Sequence, residues 1–208
     1  MKQKIRVAII DDHEVVRIGL EWSVKAFKDM EFVGSFADGE GAAAFVAKVK
    51  SDVTLLDIRM PHKDGVTALK EILERDPAAK VVILTTVGTE EDVSRCIELG
   101  AKGYVMKDGA AEKIIEAIRT VAAGGQYLPD EILDIYRLRQ LREPLTARES
   151  DVLKLLAEGL QNRVIAERLG ISEAGVKSHL VHICEKFGTK DRLETVLSAM
   201  RRGLVPPV

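Results

Sequence analysis

Four charged positions stand just past the ends of three apolar runs. Asp11 and Asp12 follow Ile5 to Ile10, Asp57 follows Val53 to Leu56, and Lys107 follows Gly103 to Met106. Each run reads as a short buried strand with a helical stretch after it, the pattern of an open parallel sheet, and such sheets bind ligands at the carboxyl ends of their strands. The four charges are therefore expected to converge on one edge. Carboxylates packed together repel one another unless a hard cation sits among them. Mg2+, which takes one or two carboxylates together with phosphate oxygens and water, is the natural occupant. The chemistry these residues point to is phosphoryl transfer.

The elements that must position them alternate five times between strand and helix up to residue 123. That alternation requires right-handed crossovers and a parallel sheet covered on both faces, an α/β fold of the doubly wound kind. The predicted strands are Ile5 to Ile10, Glu31 to Phe36, Val53 to Leu56, Lys80 to Leu84 and Gly103 to Val105. Val15, Ile18, Gly19 and Trp22 share one face of the first helix, Val66, Leu69, Ile72 and Leu73 one face of the third, and Ile114, Ile115 and Ile118 line the fifth. Thr89 with Asp92 has the form of an N-terminal cap for the fourth helix. Asp76-Pro77 ends the third, because a residue before proline is pushed out of the helical region.

Residues 124–144 change character, with Gly124-Gly125, Pro129 and the mixed-charge segment Asp130 to Arg142, and read as a partly helical linker. From Leu145 onward only helical patterns occur. Thr146 with Glu149 forms a capping box, Ser172 a cap, and Gly159, Gly170 and Gly188 are stops, which predicts a second, smaller all-α domain of about four helices over residues 145–208.

Composition bounds the rest. The 208-residue chain is 46% apolar with a net charge of −2, ordinary for a globular protein. That charge is unevenly spread: from Leu145 on there are ten Lys/Arg against eight Asp/Glu, and before it 21 against 25. Cys96 and Cys184 lie far apart without metal-type spacing and are expected to be reduced structural thiols in helices. The chain starts at once on a strand pattern, and no apolar run approaches the roughly 20 residues needed to span a bilayer. A cytoplasmic protein without membrane contact is expected.

The strings Asp11-Asp12, Asp57-Ile58-Arg59-Met60-Pro61-His62-Lys63-Asp64-Gly65, Leu84-Thr85 and Gly103-Tyr104-Val105-Met106-Lys107, in this order and at these separations, resemble the receiver domain of two-component response regulators. The likeness covers residues 5 to 123 and implies a flavodoxin-like five-stranded sheet over residues 1–123. It also implies roles. Asp57 would be the phosphoacceptor, attacking a phosphohistidine of a sensor histidine kinase. Asp12 and Asp57 would hold Mg2+ directly, Asp11 largely through water, and the Arg59 backbone carbonyl would add a neutral oxygen. Lys107 would pair with a phosphoryl oxygen, and Thr85, rather than the adjacent Thr86, would donate its hydroxyl to another. The Tyr104 ring would follow Thr85 from an exposed to a buried position. Asp64-Gly65 would shape a turn. Arg59 and Val87 would flank the acceptor and screen water.

Residues 145–203 resemble the LuxR-type helix-turn-helix domain of NarL/FixJ regulators. The likeness rests on Leu145-Thr146-x-Arg148-Glu149, Leu156-Ala157-Glu158-Gly159, Ile165-Ala166-Glu167-Arg168-Leu169, Val176-Lys177-Ser178-His179 and Lys186-Phe187-Gly188. Val176, Leu180, Ile183 and Phe187 form the buried stripe of the second helix of the pair. The opposite face, with Lys177, Ser178, Val181, His182, Glu185 and Lys186, is left for a major groove. Lys177, Ser178 and Val181 are the expected base-facing positions, with His179 and Asn162 nearer the DNA backbone. Gly175, Val164 and Phe187 depart from the family's usual threonine, charged residue and leucine. A domain of only two excess positive charges binds DNA weakly as one copy, so a homodimer formed on phosphorylation is expected on double-stranded promoter DNA. An Mg2+-dependent phosphatase on a related sheet also uses an aspartyl nucleophile, but it needs a second acid two residues further on, where Arg59 stands. A receiver that works only by protein contact, with the bundle as a docking module, is the remaining alternative, and DNA binding separates it from the regulator.

Overall fold

The computed structural model describes residues 3–86 and 88–206. Five parallel strands, β1 (Ile5–Ile10), β2 (Met30–Phe36), β3 (Val53–Asp57), β4 (Val81–Thr85) and β5 (Gly103–Met106), lie in the order β2-β1-β3-β4-β5. The helices α1 (Glu14–Lys25), α2 (Ala42–Val49), α3 (Gly65–Arg75), α4 (Glu90–Leu99) and α5 (Ala111–Ala122) alternate with them. Every residue of β3 and β4 is buried, as a sheet covered on both faces demands. Val53, Leu55, Val82, Leu84 and Val105 point toward α1 and α5. Leu56, Val81, Ile83 and Tyr104 point toward α3 and α4. Strand order reverses between β1 and β3, and the carboxyl ends there form the crevice in which such sheets bind ligands.

Three strands run one residue further than the sequence pattern indicates, so Asp57, Thr85 and Met106 close β3, β4 and β5. Pairing of Asp57 with Leu84 and of Thr85 with Met106 holds these ends in line. The apolar face expected to seat the first helix is corrected: Val15, Ile18 and Trp22 are 83%, 49% and 73% exposed. Val16, Leu20 and Val24, four residues apart, pack on the sheet instead. Helix α1 carries two apolar stripes, and periodicity alone does not say which one meets the strands.

The stretch after α5 stays with the first unit for much of its length. The Tyr104 N–H donates to the Tyr127 carbonyl, and Ile132, on α6 (Asp130–Gln140), is buried in the same core as Tyr104. The division between the two compact units falls inside α6, after Tyr136, and Thr89–Glu91 group with the second unit.

The second unit packs α7 (Ala147–Ala157), α8 (Asn162–Leu169), α9 (Glu173–Phe187) and α10 (Arg192–Arg202) around Val152, Leu153, Leu156, Ile165, Val176 and Ile183. The capping box of Thr146 and Glu149 is formed, and Gly170 and Gly188 close their helices in the left-handed region that favours glycine. Both thiols are free and lie in helices, and burial pushes Cys96 up to about 12. Among the described residues, no helix is long and apolar enough to cross a membrane.

Candidate functional site

The turn after β1 and the last residue of β3 bring Asp11, Asp12 and Asp57 together, and one ligand atom of each, with one of His13, falls within 4.8 Å of the others. Lys107 reaches them from the end of β5, where its N–H donates to the Thr85 carbonyl at 2.8 Å. Its Nζ lies 2.6 Å from Asp11 Oδ2 and 2.8 Å from Asp57 Oδ2. The side chains of Lys107, Asp11 and Asp57 are 8%, 1% and 2% exposed, so this is a buried cluster of like charges with one ammonium among them. Burial pushes the Asp57 carboxyl above the usual carboxylate range, against the pull of Lys107 and of the Arg59 N–H.

Asp11 Oδ2, Asp12 Oδ1 and Asp57 Oδ2 are buried oxygens to which no hydrogen bond is well directed. The Asp11 and Asp57 oxygens rely on the Lys107 charge, and the Asp12 oxygen lies 2.8 Å from His13 Nδ1. Converging carboxylate oxygens in this condition suit a hard divalent cation, which prefers oxygen ligands. The His13 ring is largely exposed and serves the carboxylates as a neighbour.

Two residues to which the sequence reading assigned no part in the pocket help to build it. Arg17 of α1 turns back and donates from Nη1 to the carbonyls of Asp11 and Asp12, which fixes the acidic turn. Gly65, expected only to shape a turn, opens α3 directly under the acceptor. Its N–H donates to the Ile58 carbonyl, and a Cβ built on it would lie 1.9 Å from the Asp57 carbonyl oxygen. Asp64 caps α3 by accepting from the Thr67 N–H. The signal for Gly65 was its place beside a cap residue at a helix start, and for Arg17 a cation one turn into the helix after the acidic pair.

Thr85 is fully buried and Thr86 exposed. By strand alternation Thr85 faces the α3 and α4 side, as does Tyr104 on the neighbouring strand, whose register partner is Ile83. Tyr104 is 1% exposed, with its hydroxyl packed against Gly88 and no hydrogen-bond partner among the described residues. Burial raises its phenol above the ordinary tyrosine value. The Arg59 N–H donates to Asp57 Oδ1 at 3.2 Å, while its guanidinium Nη2 meets Asp92 Oδ2 at 2.6 Å. Val87 lies outside the described residues.

In the second unit α8 and α9 are joined through Gly170, Ile171 and Ser172, and the Ser172 hydroxyl accepts from the Gly175 N–H. Lys177, Ser178, Val181 and His182 are exposed on α9, and His179 and Asn162 are half-buried. Lys186 does not belong to the open face on which the sequence reading put it. Its Nζ is bound by Glu149 at 2.9 Å, Glu143 at 3.1 Å and the Pro144 carbonyl, leaving the side chain 12% exposed. Glu149, at the start of α7, is nearly buried and attracts the lysine. Burial works to raise the Glu149 carboxyl, but the Lys186 and Thr146 bonds hold it below its ordinary value. Phe187, unusual at its position, is covered by the Arg202 guanidinium 4.1 Å above its ring. A Cβ on Gly175 would meet only ordinary contacts, so the glycine there has no steric cause.

The order 2-1-3-4-5, an acidic crevice crossed by a lysine, and a separate capped helix pair together define a response regulator. The receiver-domain model of that family matches residues 7–119, and the model of the bacterial regulatory proteins of the luxR family matches residues 143–199. The chain belongs to the NarL/FixJ response regulators, which are transcription factors of two-component systems rather than enzymes. It is 40% identical to the transcriptional regulatory protein YxjL of Bacillus subtilis, with 98% of this chain and 99% of that one covered. It is 35% identical to the transcriptional regulatory protein DegU of Brevibacillus brevis, covering 98% and 96%. RcsB of Salmonella enterica serovar Typhimurium, solved bound to promoter P1flhDC in the presence of phosphomimetic BeF3−, matches with a TM-score of 0.75 at 25% identity, covering 96% of this chain and 99% of that one.

Proposed function

We propose that Asp57 accepts a phosphoryl group from a phosphohistidine of a sensor histidine kinase, and that this event drives dimerisation and promoter binding. The observation that carries the reading is Lys107 held between Asp11 and Asp57 in a buried crevice of three carboxylates. The carboxylate oxygens of Asp11, Asp12 and Asp57, with the Arg59 carbonyl, would hold Mg2+. Bound there, the ion neutralises charge on the transferred group. Asp57 attacks phosphorus, the kinase imidazole leaves with the bond electrons, and an acyl phosphate remains on the carboxylate. Lys107 then moves its charge from the Asp57 oxygen to a phosphoryl oxygen, and Thr85 donates its hydroxyl to a second.

Tyr104 is the proposed relay. The ring already lies in the buried position that the resemblance assigned to the phosphorylated protein. Its hydroxyl has no hydrogen-bond partner among the described residues, and such a group costs about 1–3 kcal/mol, so packing holds the ring inward against a polar penalty. A switch of this size needs only a few charge-assisted bonds to bias it. Residues 1–123 act as the receiver, 124–144 as a linker and 145–208 as the DNA-binding domain, working in the cytoplasm. Lys177, Ser178 and Val181 face the bases, with His182, His179 and Asn162 beside them. Arg148 and Arg192 are spent on the Leu169 and Leu160 carbonyls, which leaves few cations for phosphates and supports binding in pairs.

Gel shift of promoter fragments by full-length protein, with and without beryllofluoride, tests this reading together with sedimentation. A dimer that binds DNA only with the analogue is expected. A monomer that binds tightly in its presence refutes the dimer, and absence of any DNA binding favours a docking module.

A further inference from the structure

The crevice around Asp57 is short of positive charge. Three carboxylates converge, and the buried cation among them is Lys107. Phosphorylation replaces the single charge of Asp57 by about two and presents three acceptor oxygens. Arg17 is committed to the carbonyls of Asp11 and Asp12. Arg59 is placed differently. Its N–H is bonded to Asp57 Oδ1, so the root of the side chain is fixed beside the acceptor, while the guanidinium is turned to Asp92. The Arg59 side chain is 52% exposed and that of Asp92 16%, so the arginine approaches its partner from the solvent side of the pair. An arginine fork suits phosphoryl oxygens better than one carboxylate oxygen, because two parallel bonds form. Asp92 lies in the first turn of α4, where the helix dipole favours negative charge and offsets part of what the carboxylate loses when Arg59 leaves.

We propose that Arg59 is an exchange cation, resting on Asp92 while Asp57 is free and passing to the phosphoryl oxygens when Asp57 is modified, so that the first turn of α4 is released in the same step. The inference rests on Asp57 being the phosphoacceptor. Arg59 becomes a phosphoryl-binding residue. Asp92 is a positioning residue that touches no phosphoryl oxygen and acts by setting how available Arg59 is. The exchange joins charge at the acceptor to the element that begins four residues after Thr86.

Calorimetric titration of the full-length protein with beryllofluoride in Mg2+ tests the exchange through a double-mutant cycle. Asp92→Asn is expected to tighten binding by roughly fivefold or more, Arg59→Gln to weaken it, and Arg59→Lys to restore part of the loss. Asp92→Asn on the Arg59→Gln background should have no effect. If it tightens binding equally on both backgrounds, or on neither, the exchange is refuted. A wild-type protein that binds no beryllofluoride refutes the phosphoacceptor reading instead. Should Asp92→Asn fail to fold, Asp92→Ser, which keeps a residue favoured at helix starts, carries the same cycle.

Discussion

Gly65 lies so close beneath Asp57 that a single added carbon would fall 1.9 Å from the Asp57 carbonyl oxygen and 2.7 Å from the Ile58 α-carbon. Backbone, not a movable side chain, fills the space. Gly65→Ala must therefore push α3 away from the end of β3 and tilt Asp57 with it. Overpacking of this kind costs about 1–3 kcal/mol. Urea unfolding is expected to show that loss, and Mg2+ titration a weaker affinity than wild type, whereas alanine at the open Gly19 position should leave the affinity unchanged.

Asp57 gives the fold a pH dependence. Burial raises its carboxyl above the usual range. Stability tied to the protonated form is fully present below the unfolded carboxyl value of about 3.9 and is lost as pH rises through the higher folded value. Without a divalent cation, holding Asp57 as a buried carboxylate is a cost to the fold. Asp57→Asn is expected to raise the melting temperature under those conditions by several degrees, since 1 kcal/mol moves a small domain by about 4–8 °C. The gain should shrink as pH falls, and Mg2+ should stabilise the wild type more than the variant.

The acids and the lysine could be read from the sequence because each follows a short, continuous apolar run, the mark of a strand buried on both faces, although the ends of three strands lie one residue beyond those runs. Asp11, Asp12, Asp57 and Lys107 were picked out that way, and their side chains come together in the structure; Thr85 came from the family resemblance alone. Residues acting from helices were harder. Arg17 reaches back to two carbonyls, and a helical cation carries no mark of which way it turns. Lys186 was placed on the groove face by spacing alone, because its partner Glu149 is 37 residues away and only the packed bundle joins them. Val15, Ile18 and Trp22 mimic a packing stripe, and three-dimensional contact with Val16, Leu20 and Val24 decides against them.

Lys107 supports the crevice as well as the chemistry. Removing it leaves Asp11 and Asp57 buried beside each other without a cation, and an uncompensated buried charge costs about 3–5 kcal/mol. Lys107→Ala should lower stability by that order when divalent cations are chelated. Millimolar Mg2+ is expected to recover part of the loss in a thermal melt, which a purely packing defect would not show.

Helix α9 offers two contrasting substitutions. Gly175→Ala meets no crowding and removes the helix penalty of glycine, so it should stabilise the second unit by about 0.5–1 kcal/mol in denaturant unfolding. Lys177→Ala, at an exposed position 3.7 Å from Glu173, should leave stability nearly unchanged but weaken promoter binding by about 1–3 kcal/mol. Lys186→Ala should do the reverse of Lys177→Ala, lowering the melting temperature by stranding Glu149.

The most direct measurement is the intact mass of the full-length protein after incubation with Mg2+ and a small-molecule phosphodonor such as acetyl phosphate. Wild type is expected to gain one phosphoryl group that is lost on treatment with hydroxylamine, as an acyl phosphate must be, and Asp57→Asn to gain none. Labelling of the Asp57→Asn protein to the wild-type extent, or a wild type that takes no label, would contradict Asp57 as the acceptor.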